Sequence, residues 1–141
     1  MDDRLNTSRN FKDKNLNNLN LSGKDLSNCS FRGALLQNAN LKKADLTNAD
    51  FTNADLSQAI FTNAKLDNTN FAGIELKDVN FSGADLSNAN FKNADMRGTD
   101  LGGSNLHKAH FTGANMEGAE NIEYSENLAT VKGLKNKVRA K

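Results

Sequence analysis

The sequence is poor in cysteine and in long apolar runs. Cys29 is the one cysteine among 141 residues, and only 37% of the residues are hydrophobic. A lone cysteine cannot form an internal disulfide bond, which fits a reducing compartment. No apolar run approaches the length of a membrane-spanning helix, and the N-terminal stretch MDDRLNTSRN lacks the basic region and apolar run of a signal peptide. These absences predict one soluble, cytoplasmic domain without membrane association.

The sequence also lacks a strong charge of either sign. Residues 1–120 carry 13 Lys and Arg against 15 Asp and Glu, and residues 121–141 carry five against two. Neither balance is typical of nucleic-acid binding by bulk charge, so no direct nucleic-acid binding is expected. Composition alone would suggest disorder, because the chain is polar and rich in Asn. The regular spacing of its apolar residues argues against that interpretation.

Large apolar residues recur at every fifth position from Phe11 to Met116, and a small residue, usually Ala, precedes most of them by two places. On an α-helix, residues five apart lie about 140° from each other, so no apolar stripe would form. On a long strand they would alternate between faces. A short extended segment points both residues the same way, and a turn must follow before the next segment. Such a fixed period predicts an all-β solenoid.

Phenylalanine follows a second, longer period. It recurs at every twentieth residue, which is every fourth member of the apolar series, at Phe11, Phe31, Phe51, Phe71, Phe91 and Phe111. Four five-residue units in each 20-residue coil predict a four-sided parallel β-helix of about 5.5 coils, in which the six Phe side chains form a structural core along one side. At the usual spacing of strands, these coils make a rod roughly 26 Å long.

The tandem pattern A(D/N)(L/F)xx, as in ADLTNADFTNADLSQAIF at residues 44–61, resembles the pentapeptide repeat family. The resemblance extends over about residues 11–118 and implies a right-handed quadrilateral β-helix. The chain then divides into an N-terminal lead-in at residues 1–10, the β-helix at residues 11–120 and a C-terminal segment at residues 121–141.

Several inward positions depart from the pattern of small residues. Lys14 and Lys24 occupy such positions in the first coil, and because buried lysines need partners, that coil is expected to be splayed. Cys29 occupies another and is expected to be a packed thiol. Bulkier residues predict local bulging around residues 69–99. They are Thr69, Ile74, Val79 and Thr99.

The C-terminal segment follows a different spacing. Leu128, Val131, Leu134 and Val138 recur near the period of a helix, and Ser125 precedes them as a possible N-cap. This spacing predicts a short amphipathic helix that caps the last coil and continues into a basic tail. The alternative is a disordered basic tail throughout.

No group of residues in the sequence points to catalysis. His107 and His110 are the two histidines, and both fall on outward positions without an evident third metal ligand. Cys29 points inward and cannot pair with either. The sequence therefore predicts a protein that is not an enzyme and that binds no cofactor or metal.

Surface residues that depart from the repeat are the candidates for an interaction surface. Two apolar residues stand where Asp or Asn is usual and should be exposed, three basic residues are expected to form a local cluster, and three acidic residues form a stripe without neutralising partners. Isolated exposed aliphatic and charged residues are also common without any function. The candidates are Leu35 and Ile60, Arg32, Lys42 and Lys43, and Asp55, Glu75 and Asp95.

These features favour a non-enzymatic, rod-like interaction or scaffold module with an unknown protein partner. The chain would be a monomer or an end-to-end dimer joined through its C-terminal segment. The resemblance offers an alternative, because some pentapeptide repeat proteins mimic DNA, bind DNA gyrase and confer quinolone resistance. That role requires strong negative charge, and those members often carry loops between coils, whereas this body is only slightly acidic and its register is unbroken.

Overall fold

The structure is a computed structural model that describes residues 8–134. Short extended segments wind into a four-sided β-helix, in which isolated parallel bridges join residues 20 apart, from Asn10 with Ser30 to Asp100 with Glu120. The helical elements of the described residues are two 3₁₀ helices, η1 at Ile122–Tyr124 and η2 at Leu128–Thr130. The 20-residue coil predicted from the Phe period is confirmed.

Each corner of the coil is a tight turn that explains the abundance of Asn and Gly. At one representative corner, the N–H of Ala49 donates to the carbonyl oxygen of Leu46 at 2.9 Å. Asn48, between them, has a φ of 63°, and a positive φ recurs at every fifth residue from 13 to 118. Glycine adopts this conformation without strain, and Asn and Asp tolerate it better than most other residues do. These Asn residues therefore serve the backbone conformation of the turns.

The inward residues form one continuous core. The six Phe rings of the predicted column stack with 4.9 to 5.3 Å between successive centroids. Phe61 and Phe81 enter the same core from the opposite side of the coil and meet the stacked rings edge-on, at 5.5 to 6.0 Å. Burial of each ring contributes about 1.5–3 kcal/mol. The predicted Phe column is thus confirmed.

We number the four sides by the outward residue that precedes each large core residue in the first coil. Side 1 starts at Asn10, side 2 at Asn15, side 3 at Asn20 and side 4 at Asp25, and each continues every 20 residues along the axis.

The first coil is regular, so the predicted splaying is wrong. The N–H of Leu16 donates to the carbonyl oxygen of Leu35 at 2.7 Å, as in later coils. Lys14 is exposed and Lys24 is half-buried. Because both lie at the end of the core, their long side chains reach water without distorting the coil.

The predicted bulge is confirmed at Ile74 alone. At the other three positions the bonds to the preceding coil persist, from Asn70 N–H to Ala49 O at 3.2 Å, from Asn80 N–H to Ala59 O at 3.3 Å and from Asp100 N–H to Val79 O at 3.1 Å. The equivalent bond from Glu75 N–H to Ala54 O is missing. Around Ile74, side 2 opens between residues 53–58 and residues 72–77. Within this described stretch, four backbone N–H groups lack the coil-to-coil bonds made in neighbouring coils, and they belong to Asn53, Leu56, Gln58 and Glu75.

The predicted C-terminal amphipathic helix is wrong for residues 121–134. The solenoid continues there in six-residue units, and bridges join Asn105 with Glu126 and His110 with Lys132. Each unit places a left-handed residue, Asn121 or Asn127, before a short 3₁₀ helix. The rest of the predicted helix and the basic tail, at residues 135–141, lie outside the described residues, as do residues 1–7 of the predicted lead-in.

Candidate interaction surface

Most polar surface residues of the repeat are occupied in holding the turns. Asp45 is typical, since its Oδ1 accepts hydrogen bonds from the backbone N–H of Thr47 at 3.1 Å and from the Thr47 hydroxyl at 2.8 Å. Asp85 accepts the same pair of bonds from Ser87. Such turns use short polar side chains to fix the backbone. A polar residue at these positions therefore needs no partner outside the chain.

Leu35 and Ile60 replace the turn-forming carboxyl or amide with an aliphatic group. Leu35 retains 40% of its accessible surface. In a regular turn, the side chain at this position accepts a hydrogen bond from the backbone N–H two residues later. Leu35 cannot accept it, so the N–H of Gln37 donates instead to Asn17 Oδ1 at 2.7 Å. Ile60 lies on side 3 and is half-buried, so it is less exposed than expected. Leu35 is therefore the stronger apolar candidate.

Side 2 brings four candidate residues into one line. Bridges join Leu35 with Asp55 and Glu75 with Asp95, and all four occupy the same position in successive coils. Leu35 and Glu75 are exposed, while Asp55 and Asp95 are half-buried. We call this line of four residues the side 2 stripe.

The three basic candidates do not form one cluster, so that prediction is wrong. Arg32 follows side 1 and pairs with Asp50 at 3.2 Å. Lys42 and Lys43 lie at the end of side 3, two corners further along the coil. The prediction failed because ten residues of sequence correspond to half a circuit of the solenoid.

The acidic part of the side 2 stripe is partly neutralised, contrary to expectation. Arg97 forms an ion pair with Asp95 at 2.7 Å, and its hydrogen bond lowers the pKa of that carboxyl against the effect of burial. Burial raises the pKa of Asp55, but hydrogen bonds from Ser57 and Gln37 outweigh it, so the net shift is downward. Both carboxylates are therefore held in their ionised form.

Sequence reasoning missed Gln37 and Arg97 as parts of this surface. Each lies two residues beyond the stripe position of its own coil, and each donates to a stripe carboxylate, Asp55 or Asp95. The 20-residue coil puts Gln37 beside the following coil, so aligning residues by coil could have identified it.

A crevice of about 270 Å³ interrupts the stripe where side 2 opens. Its walls are two three-residue segments of successive coils, residues 53–55 and residues 73–75. Asp55 and Glu75 therefore face each other across the opening without the bridge that joins the other members of the stripe.

The histidines and the cysteine, considered as catalytic or metal-binding residues, do not come together in one site. His110 Nε2 lies 2.8 Å from the Thr112 hydroxyl, and the half-buried His107 lies on side 4. Cys29 is buried as predicted, and burial raises the pKa of its thiol although Arg9 opposes the shift. Among residues 8–134, no three His, Cys, Asp or Glu side chains are placed to hold a metal ion. Within the same residues, no helix is long and apolar enough to cross a membrane.

Comparisons with known proteins agree with the repeat geometry. The family described as pentapeptide repeats matches in eight copies, over residues 10–48, 25–63, 44–83, 54–93 and 84–120. No curated protein matches the chain. Solved structures of other proteins do resemble it, and they include pentapeptide repeat proteins from cyanobacteria.

A pentapeptide repeat protein of the cyanobacterium Cyanothece 51142 is 26% identical over 92% of this chain and 94% of its own, with a TM-score of 0.39. One of Nostoc Pcc 7120 is 25% identical over 88% and 84%, with a TM-score of 0.40. QnrB1, a plasmid-mediated fluoroquinolone resistance protein, is 19% identical over 85% and 68%, with a TM-score of 0.50, a likeness of fold alone.

The family match covers most of the chain, from residue 10 to residue 120, and its five-residue unit is the unit that forms one side of the coil. Pentapeptide repeats are in general a structural, non-enzymatic fold. By its sequence and its architecture, this chain belongs to the pentapeptide repeat family.

Proposed function

We propose that this chain is a right-handed, non-enzymatic rod that binds a protein partner through side 2. The observation that carries the proposal is the exposed Leu35 at one end of the side 2 stripe, at a position where the repeat usually places a turn-forming polar residue. An aliphatic group there gives up a local hydrogen bond and leaves 40% of its surface exposed. A partner that covers Leu35 would supply the missing burial.

The chemistry of the stripe suggests the character of that partner. Leu35 offers an apolar contact and Glu75 an exposed carboxylate, while Asp55 and Asp95 are half-buried and already hydrogen-bonded within the chain. A surface with an exposed apolar group and basic or amide side chains would complement this pattern. The cytoplasmic location expected from the sequence remains part of the proposal.

Affinity capture followed by cross-linking tests the proposal. A partner that binds side 2 should be retained by the wild-type chain and lost by Leu35→Asp. Lys42→Glu is the matched control, because Lys42 is exposed near a different corner, and it should retain the partner. Retention of every captured protein by Leu35→Asp would exclude side 2 as the binding surface.

The DNA-mimic alternative has weaker support. Residues 8–134 carry 13 Lys and Arg against 15 Asp and Glu, far from the strong negative charge that mimicry of DNA requires. A gyrase supercoiling assay decides the matter. We expect full supercoiling at a micromolar excess of this chain, and inhibition would favour the alternative.

End-to-end pairing through the C-terminal segment is proposed as the form of any dimer. Tyr124 is 61% exposed and Leu128 is half-buried, and both belong to the last described coil, which places apolar surface at this end of the rod. Light scattering should give a dimer for the full chain and a monomer for Tyr124→Asp. A monomeric wild-type chain would end this part of the proposal.

A further inference from the structure

One side chain interrupts an otherwise uniform stack of coils. On side 2 the small inward position is Ala34, Ala54, Ala94 and Ala114 in four coils, but Ile74 in the coil between those of Ala54 and Ala94. Ile74 is 5% exposed and Ala54, directly before it along the axis, is 6% exposed, whereas Ala34 is fully covered. The added carbons of Ile74 occupy a space sized for a methyl group, so the two coils separate.

The separation is graded around the coil. Beside the gap, the bond from Phe51 N–H to Asn70 O is 3.2 Å and the bond from Asn80 N–H to Ala59 O is 3.3 Å. On side 4, opposite the gap, the bond from Leu46 N–H is 2.8 Å long. The bond from Phe61 N–H to Asn80 O, also beside the gap, stays at 2.8 Å, but lengthened bonds between coils occur on both neighbouring sides and not on side 4, which describes a wedge that opens toward side 2.

The chain on both sides of the wedge keeps the backbone conformation of its corners. The corner residues Asn53 and Gly73 have φ values of 61° and 71°, as in the regular turns. The next coil is bonded normally, with Leu76 N–H donating to Asp95 O at 2.7 Å. The opening is therefore a loss of contact between two coils together with one turn bond, because Ile74 N–H does not donate to Phe71 O as the equivalent Ala54 N–H does to Phe51 O at 2.9 Å.

Electrostatic repulsion favours separation of the two coils, as the bulk of Ile74 does. Asp55 and Glu75 occupy positions that face each other across the gap, and like charges placed directly opposite destabilise strand pairing. At about 270 Å³ the crevice is smaller than typical pockets for small molecules, which span roughly 300–1,000 Å³. These features fit a mobile joint better than a ligand site.

We propose that the rod contains a hinge at Ile74. The coils before and after it tilt as two blocks about an axis along side 4, where the bonds between coils stay short. Opening changes the distance between the two halves of the side 2 stripe, Leu35 with Asp55 and Glu75 with Asp95. A partner that spans both halves would then select one tilt of the rod.

Amide hydrogen exchange, followed residue by residue by NMR on the full chain, tests the hinge. The amides of Asn53, Leu56, Gln58 and Glu75 should exchange about tenfold or more faster than their equivalents one coil earlier, which are bonded. Those equivalents are Gly33, Leu36, Asn38 and Asp55.

Two variants separate the hinge from general loosening. Ile74→Ala restores the residue found in neighbouring coils and should slow the four amides to the rate of their equivalents. Val79→Ala removes similar bulk at the next corner, where the bonds between coils persist, and should leave the four amides fast. Equal exchange of the two sets in the wild-type chain would overturn the hinge, as would equal effects of the two variants.

Discussion

The regular coils and the last described coil pack their inward residues on one core, but their repeat units differ in length. From Phe11 to Glu120, each side takes five residues, and bridges join residues 20 apart. From Asn121 onward, each side takes six residues, and bridges join residues 21 or 22 apart. Both regions keep a left-handed residue at the corner and a parallel bridge on the side. The backbone pairing is therefore the feature that both regions share, and the period of the sequence adapts to it.

The comparison also explains why the spacing of apolar residues in the C-terminal segment resembles that of an amphipathic helix. In the regular coils the inward residues alternate between spacings of two and three. In the last coil, Leu128, Val131 and Leu134 lie three apart and all contact the core. Three-residue spacing is also expected of an amphipathic helix, but here a 3₁₀ turn and an extended residue produce it.

Leucine truncation should give the largest difference between the two regions. Leu86 is fully buried in a regular coil, whereas Leu128 is half-buried in the last one. Leu86→Ala should reduce the free energy of unfolding by about 2–5 kcal/mol, and Leu128→Ala by about 1 kcal/mol, because less area leaves water there. Urea denaturation measures both values. Equal losses would show that the six-residue units are packed as well as the regular coils.

Substitution of corner glycines should give the next largest effect. Gly103 in a regular coil and Gly133 in the last one have φ values of 67° and 76°. Gly103→Ala should destabilise the fold by about 1–2 kcal/mol, because a Cβ atom disfavours this conformation, and Gly133→Ala should destabilise it more. At Gly133 the new methyl group would also meet the backbone of Thr112. Thermal unfolding checks both variants. If Gly133→Ala left the melting temperature unchanged, the last coil would not keep a left-handed residue at this corner.

Acidification should weaken the regular coils through carboxylates that fix the turns. Hydrogen bonds from Ser27 and Arg9 lower the pKa of Asp25 from 3.8 to about 2. Turn bonds and neighbouring donors also lower the pKa values of Asp50, Asp55 and Asp95. Because the folded state has the lower pKa, these groups stabilise it above about pH 4 and lose that effect as the pH falls toward 2.

A pH series of melting temperatures measures this loss. The matched control replaces the four Asp residues with Asn, which accepts the same turn bond without a charge, as Asn80 does from Ser82 at 2.9 Å. The control should flatten the decline between pH 4 and pH 2. An unchanged slope would mean that other groups cause the acid sensitivity.

The sequence was sufficient to predict the four-sided coil, the Phe column and the buried Cys29, because each follows from which residues point inward. It named Ile74 as one of four bulky inward residues expected to cause bulging around residues 69–99, and the coils separate at Ile74 alone. It was insufficient where position around the coil matters. Arg32 and Lys42 are close in sequence but lie on different sides, and Arg97 neutralises a carboxylate that the spacing alone left without a partner. Such contacts depend on the lengths of flexible side chains, which a repeat pattern does not specify.

Substitution of Leu35 should have the smallest effect on stability. Its side chain is 40% exposed, and the neighbouring turn is already closed by Asn17. Leu35→Asp should therefore change the free energy of unfolding by no more than about 0.5 kcal/mol. Urea denaturation of this variant next to Leu36→Asp, in which the fully buried neighbour is replaced, tests the claim. A large loss for Leu35→Asp would show that Leu35 serves the fold, and side 2 would then lose its strongest reason to be a binding surface.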